Sequence, residues 1–293
     1  MICRGGFQTR PYYFLFIMNH SCPFKLPAFL RALFLILSAV VYSAILGPLA
    51  IVSSLLGRSG RWPSFFQGLW ADWLLRTNGI KVQLKGTENL KKDQSYILVS
   101  NHASILDIPA LISATPFQVR FLAKKSLLWF PIFGWFLYIA DHILIDRESA
   151  QSALKSLKKA SVLLKKGISI IVFPEGTRSP DGEVKEFKRG AFLLARHSKF
   201  PVVPISISGT YDMLPRQGWC FWPGTIHIRM GEPIPTRDLS HQESKDLMRR
   251  VRETIIENLK KGSAERDLSE GERGKRPHDV MEDAGRRVEE PQF

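Results

Sequence analysis

Apolar residues follow three rhythms along this chain, and each predicts a different kind of structure. From Ala32 to Leu56 no charged side chain occurs over about 25 residues, enough to cross a bilayer as a helix or to lie deep in one. Gly47 and Pro48 interrupt that run near its centre, so a spanning helix and a bent, re-entrant one both stay open. Over Arg61–Asn78 the rhythm changes. Trp62, Phe65, Phe66, Leu69, Trp70, Trp73 and Leu74 recur at helical spacing, with tryptophans of the kind that settle at headgroup depth. This predicts an interfacial helix, with an ordinary amphipathic core helix as the alternative.

After Gly79 short β-rich runs alternate with helical ones. Strands are predicted at Ile80–Leu84, Tyr96–Ser100, Val119–Ala123, Ile143–Ile145, Ile168–Phe173, Val202–Ser206 and Thr225–Met230. Helices are predicted at Ile105–Ala114, Leu127–Ile139, Ala150–Lys166, Arg189–His197 and Gln242–Lys260. Such interleaving predicts an α/β domain, with its chemistry at the ends of strands. Residues 262–293 carry nine acidic and six basic side chains and almost no apolar ones, the composition of a disordered tail. The organisation expected is an N-terminal extension over 1–25, a membrane-associated helical segment over 26–78, a catalytic domain over 79–261 and the tail. Met18 is an alternative start. The apolar run is too long for a signal-peptide core and lacks a convincing cleavage site, so it is expected to stay in the mature protein. Arg4, Arg10, Lys25 and Arg31 ahead of it favour a cytoplasmic N-terminus.

Charge narrows the partners. The net charge is +14 and the pI about 9.8, and removing the acidic tail makes the body more basic still, which points to an anionic partner. No recognition helix or interleaved aromatic motif accompanies that charge, so nucleic acid is not expected. Cys3, Cys22 and Cys220 show no metal-ligand spacing, and their odd number argues against a disulfide framework; a reducing compartment is the simplest fit.

Two blocks carry candidate chemistry, each at the C-terminal end of a predicted strand. In Asn101-His102-Ala103-Ser104-Ile105-Leu106-Asp107 a turn can bring His102 and Asp107 together, the carboxylate orienting the imidazole and leaving its other nitrogen free as a base. No Gly-x-Ser-x-Gly turn supplies a serine nucleophile, so the histidine would act directly on a bound hydroxyl. The competing reading is a capped helix start with a hydrogen-bonded histidine. In Phe173-Pro174-Glu175-Gly176-Thr177-Arg178-Ser179 a glycine, two hydroxyls and a guanidinium look like an anion cradle, against the alternative of a solvated β-turn. Lys124, Lys125 and Arg147 lie between the blocks as further phosphate candidates, or as exposed cations.

These blocks resemble, in order, those of the 1-acylglycerol-3-phosphate acyltransferases: Asn101-His102-x4-Asp107, Ile145-Asp146-Arg147, Phe173 to Ser179, and Val203-Pro204-Ile205. Lys125-Ser126-Leu127-Leu128-x2-Pro131-x2-Gly134 and Phe187-Lys188-Arg189-Gly190-Ala191-Phe192 are similar to the family too, so the likeness covers roughly residues 80–235. Ser126 stands where the family usually has Glu, and the glycine that often opens the second block falls on Ala140 or Asp141.

The resemblance implies a mixed sheet flanked by helices and preceded by N-terminal membrane-associated helices. It implies transfer of a fatty acyl group from acyl-CoA or acyl carrier protein to the hydroxyl of lysophosphatidate, at the cytoplasmic face of the inner membrane, with no cofactor and no metal. His102 would be the base, Asp107 its orienting carboxylate, and Glu175, Gly176, Thr177 and Arg178 the acceptor-phosphate site, with Arg147, Lys124 and Lys125 as further cations. Backbone N–H groups around Gly176 would serve the oxyanion. Three rivals remain: an acyltransferase for another lysolipid such as lyso-ornithine lipid, a hydrolase in which His102 activates water, and a non-enzymatic module that binds anionic lipid.

Overall fold

A computed structural model describes residues 26–54, 60–91, 93–129, 137, 140–146 and 150–271. The extension over 1–25, Arg147, most of the helix expected at Leu127–Ile139 and the tail beyond Gly271 lie outside the described residues.

Strands β1 (Lys81–Lys85), β2 (Ile97–Ser100), β3 (Val119–Lys124), β4 (Ile143–Ile145), β5 (Ser169–Val172), β6 (Val202–Ser208) and β7 (Thr225–Met230) form one sheet of seven, ordered β1-β7-β6-β2-β5-β3-β4. From β6 to β4 every neighbour is parallel. β7 runs antiparallel to β6, and β1 parallel to β7, so that edge is reversed and the sheet is mixed. β2 and β5 are buried at every position, which is why they read as unbroken apolar runs: a parallel strand covered on both faces has no polar side to show.

The helices divide between the two faces. α1 (Leu26–Ser54), α2 (Arg61–Thr77) and α3 (Asp107–Ala114) join one core, to which β2 and β5 contribute Leu98 and Ile171. α4 (Ala150–Lys165), α5 (Gly190–Ser198) and α7 (His241–Gly271) join the other, which takes Ile97, Val99, Ile170 and Val172. The alternation follows from the two-residue period of a strand. Burying a Leu or Ile on either side contributes about 2 kcal/mol.

Several elements differ from expectation. α1 is one helix that begins at Leu26 and continues through Pro48 to Ser54. Its buried stripe of Ala28, Ala32, Leu35, Ser38, Leu46, Ala50 and Ser53 lies against α2, while Phe29, Leu33, Phe34, Leu37, Val41, Ile45 and Leu49 are exposed. By length and composition it is able to cross a membrane. α3 starts at Asp107 and not Ile105, because the Asp107 carboxylate accepts from the backbone N–H groups of Ala103 and Ser104 and holds those residues in a turn. Only a short 3-10 turn, Lys125–Trp129, is seen where the helix at Leu127–Ile139 was expected to begin. α7 runs past Lys260 to Gly271, into the segment expected to be disordered, as a continuation of the helix anchored by Leu247, Val251 and Ile255. A one-turn helix, α6 (Thr210–Met213), has no periodic signal. Cys220 is disulfide-bonded, against the expectation drawn from the odd cysteine count.

Candidate active site

The two chemistry-bearing blocks meet because their strands are neighbours. β2 pairs with β5 in parallel with Val99 opposite Val172, so the residues that follow, 101–107 and 173–179, leave the same end of the sheet side by side. Asn101 fixes the first loop by pairing with Ile207 through both ends of its amide, donating to the carbonyl at 2.9 Å and accepting from the N–H at 2.8 Å. The loops then bond to each other: the N–H of Ser179 donates to the carbonyl of His102 at 2.8 Å.

His102 Nδ1 lies 2.8 Å from Asp107 Oδ2. The same oxygen accepts the N–H groups of Ala103 at 2.8 Å and Ser104 at 2.9 Å, so it is an acceptor throughout and the proton between it and the ring belongs to Nδ1. Nε2 is left with its lone pair. The ring stacks on Phe173 at 4.1 Å, while its side chain stays 14% exposed against 1% for Asp107. Oδ1 of Asp107 is buried without a hydrogen-bond partner among the described residues, which makes the carboxylate dependent on the donors at Oδ2.

His102 opens onto a cavity of about 140 Å³ lined mainly by apolar groups, among them Trp70, Ile108, Ile112, Phe121 and Leu127. Gln67 and His142 form a buried polar pair in its wall. His142 Nδ1 accepts the N–H of Phe121 at 2.9 Å, so Nε2 carries the proton. The side-chain amide of Gln67 lies 3.3 Å from Nε2, and its oxygen is the group able to accept that proton. Burial first, then Arg120 and Lys159, hold His142 well below the usual imidazole range, and it stays neutral.

The second block sorts into three fates. Gly176 and Thr177 line the cavity beside His102. Gly176 has φ +77°, a conformation that favours glycine, and its N–H turns back to Phe173 O at 3.1 Å; it is therefore not free for an oxyanion. Thr177 N–H has no acceptor among the described residues. Glu175, expected in the phosphate cradle, is instead turned inwards and 3% exposed, accepting the N–H of His102 at 2.9 Å and that of Lys185 at 3.4 Å. Burial pushes its carboxyl up to about 7, although both backbone bonds favour the charged form. Arg178 is half-buried; burial lowers its pKa first, then the neighbouring Arg216, while Asp107 opposes both.

Lys124 borders the cavity, and Lys125 is exposed and outside its lining. The cavity thus gathers His102, Gly176, Thr177 and Lys124, with Asp107 behind the histidine and Glu175 beneath the loop. Gln67, His142 and Arg216 were missed by sequence reasoning. A histidine just ahead of the apolar strand Ile143–Ile145 was the available signal for His142; Gln67 sits on a helix face that reads as aromatic packing, and Arg216 is far in sequence from either block.

The mixed sheet, the oriented histidine without a serine elbow and the apolar cavity define the class, and a family model described as "Acyltransferase" matches residues 81–208. The 1-acyl-sn-glycerol-3-phosphate acyltransferase of Limnanthes alba is 35% identical over 182 residues, covering 62% of this chain and 64% of that protein. The human 1-acyl-sn-glycerol-3-phosphate acyltransferase alpha is 35% identical over 179 residues, 61% of this chain and 63% of its own. The crystal structure of the 1-acyl-sn-glycerophosphate (LPA) acyltransferase of Thermotoga maritima superposes with a TM-score of 0.67 at 31% identity, covering 82% of this chain and 98% of that one. The chain belongs to the 1-acyl-sn-glycerol-3-phosphate acyltransferase family, and it spans a little under two thirds of the length of these curated relatives.

Proposed function

We propose that this protein transfers a fatty acyl group from a thioester donor, acyl-CoA or acyl carrier protein, to the free hydroxyl of lysophosphatidate. The observation that carries the reading is the His102–Asp107 pair, with Nδ1 committed to the carboxylate and Nε2 free, opening onto an apolar cavity. Nε2 takes the hydroxyl proton as the oxygen attacks the thioester carbonyl. Asp107 holds the ring and stabilises the imidazolium that forms. Collapse of the tetrahedral adduct breaks the C–S bond, and the proton on Nε2 passes to the departing thiolate.

Thr177 N–H, unspent and beside His102, is the oxyanion donor in this scheme, in place of Gly176. A thioester is already an activated acyl donor and the main task is proton removal, so the chemistry calls for neither metal nor cofactor. Arg178 receives the acceptor phosphate, with Lys124 at the cavity rim. Glu175 positions the His102 loop and does not touch substrate. The cavity beneath α2 and α3 takes the acyl chain, and the apolar surface of α1 with Trp62, Phe65 and Trp73 of α2 sets the site at headgroup depth, at the cytoplasmic face of the inner membrane.

The test is donor turnover by the detergent-solubilised protein with and without acceptor. The proposal expects phosphatidate from lysophosphatidate and acyl-CoA, with little free fatty acid when the acceptor is omitted. Fatty acid released equally fast without acceptor would make the protein a thioester hydrolase, and transfer only to a phosphate-free lysolipid would replace the acceptor.

A further inference from the structure

Among the described residues two arginines of adjoining loops have no carboxylate bound to either guanidinium: Arg178, in the second block, and Arg216, in the loop between α6 and β7. Arg216 Nη1 donates to the backbone carbonyl of Arg178 at 3.1 Å, which brings the second cation against the main chain of the residue that carries the first. No ion pair or side-chain hydrogen bond ties the Arg178 guanidinium to a described residue, and Arg216 makes only the bond to that carbonyl.

The pairing is held from several directions. Ser104 Oγ, in the His102 block, donates to Leu214 O at 2.7 Å. Tyr211 OH donates to Pro180 O at 3.0 Å, with its ring packed under Gly182. The N–H of Trp222 donates to Met213 O at 3.1 Å, and that of Gly218 closes a turn onto Pro215 O at 3.2 Å. The loop carrying Arg216 is thus fastened to both chemistry-bearing blocks. Burial first, and the neighbouring Arg216 second, disfavour the charged form of Arg178 against the opposing pull of Asp107, and an anion bound at both arginines offsets each of those effects. Arg216 is exposed, so an anion reaches it from solvent or from the membrane surface, and Trp219, three residues on, is 71% exposed.

We propose that Arg216 is the second guanidinium of the acceptor-phosphate site, closing with Arg178 on the phosphate monoester of the lysophospholipid. This rests on the acyl-transfer reading above. A monoester dianion offers more than one oxygen to paired planar donors, whereas the phosphodiester of a bilayer lipid carries a single charge; the site therefore selects the acceptor over surrounding lipid.

The experiment compares the full chain with Arg216→Ala, Arg216→Lys and, as a control for lost charge, Arg237→Ala, which lies by the opposite ends of β2 and β6. It reads KM and kcat for lysophosphatidate, KM for acyl-CoA, the rise in Tm on adding glycerol 3-phosphate, and co-sedimentation with phosphatidylglycerol vesicles. Arg216→Ala is expected to raise KM for lysophosphatidate about tenfold, with kcat and the donor KM changed less than about twofold. It also loses the glycerol 3-phosphate stabilisation while vesicle binding holds, and Arg216→Lys recovers part of both losses. A KM for lysophosphatidate within about twofold of wild type, with stabilisation intact, would overturn the proposal. So would a loss confined to vesicle binding, which would give Arg216 to bilayer headgroups, or a rise only in the donor KM, which would give it to coenzyme A. If the wild type transfers nothing to lysophosphatidate yet glycerol 3-phosphate stabilises it through Arg216, the anion clamp stands and the acyl-transfer reading fails.

Discussion

Asp107 concentrates three N–H donors on one oxygen, two from the backbone and one from His102. An amide at this position keeps the shape but changes what the ring meets. In Asp107→Asn the amide oxygen satisfies the backbone donors, and the imidazole loses the charge that stabilises its protonated form. A fall in kcat of about 10³-fold is expected, with Tm lowered only modestly, measured by steady-state transfer and thermal unfolding. Glu175 works one layer below. Its carboxyl titrates at about 7 when folded against 4.5 ordinarily, so the folded state holds the extra proton between those values. Its contribution to stability is full below pH 4.5 and is lost as pH rises through about 7. Glu175→Gln should flatten the pH dependence of unfolding over that window, removing a term of up to about 3 kcal/mol, as urea titrations at several pH values would record. The His102–Asp107 pair was legible in the sequence because its spacing is local and strand ends are where such chemistry sits. The inward turn of Glu175 was not, since a carboxylate beside Gly176, Thr177 and Arg178 reads as part of their cradle until its burial is known.

Among the elements, α1 and α2 pack through small residues, and polar stitches join them: Trp70 Nε1 donates to Ser43 Oγ at 3.1 Å and Asn78 Nδ2 to Ser38 Oγ at 2.9 Å. Ala32, 5% exposed, is buried in the core that α1 and α2 share. Ala32→Phe is expected to destabilise by about 1–3 kcal/mol through overpacking, seen as a lower Tm in detergent. Leu37→Asn, on the exposed face of the same helix, should leave Tm nearly unchanged and shift protein from the membrane fraction to the soluble one. Strands were the most legible elements: β4 and β7 begin and end where their apolar pattern does, and the others shift by a residue or two. Helix limits depended on chemistry outside the periodicity. The Asp107 carboxylate sets the start of α3, and packing of Leu247, Val251 and Ile255 against the sheet carries α7 further than its own composition suggests. Pro48 reads as a break, yet α1 passes through it. The composition of an apolar helix leaves that choice open, and here packing against α2 flanks the proline on both sides, at Leu46 and Ala50.

At the scale of the molecule, the sheet separates two tasks. The face covered by α1, α2 and α3 presents the large exposed apolar surface and the cavity, and the face covered by α4, α5 and α7 is an ordinary globular core. The two loops leave the same end of the sheet, so His102, Gly176, Thr177 and Lys124 come together at one mainly apolar cavity, the arrangement on which the proposed transfer rests. Charge of +14 spread over such a body favours anionic lipid, and vesicle binding should weaken as salt is raised from 50 to 500 mM, the apolar contribution of α1 remaining. Sheet order and loop adjacency could not be read from the chain, because pairing between β2 and β5 joins residues that lie some 70 positions apart. The most direct test of the whole account is transfer of a labelled acyl group from acyl-CoA, and separately from acyl carrier protein, to lysophosphatidate by wild type and by His102→Ala shown to be folded by its Tm. Labelled phosphatidate from the wild type, and at least about 10³-fold less from the variant, is the expected result. Equal turnover by the two proteins would contradict the account, because His102 would then not be the base.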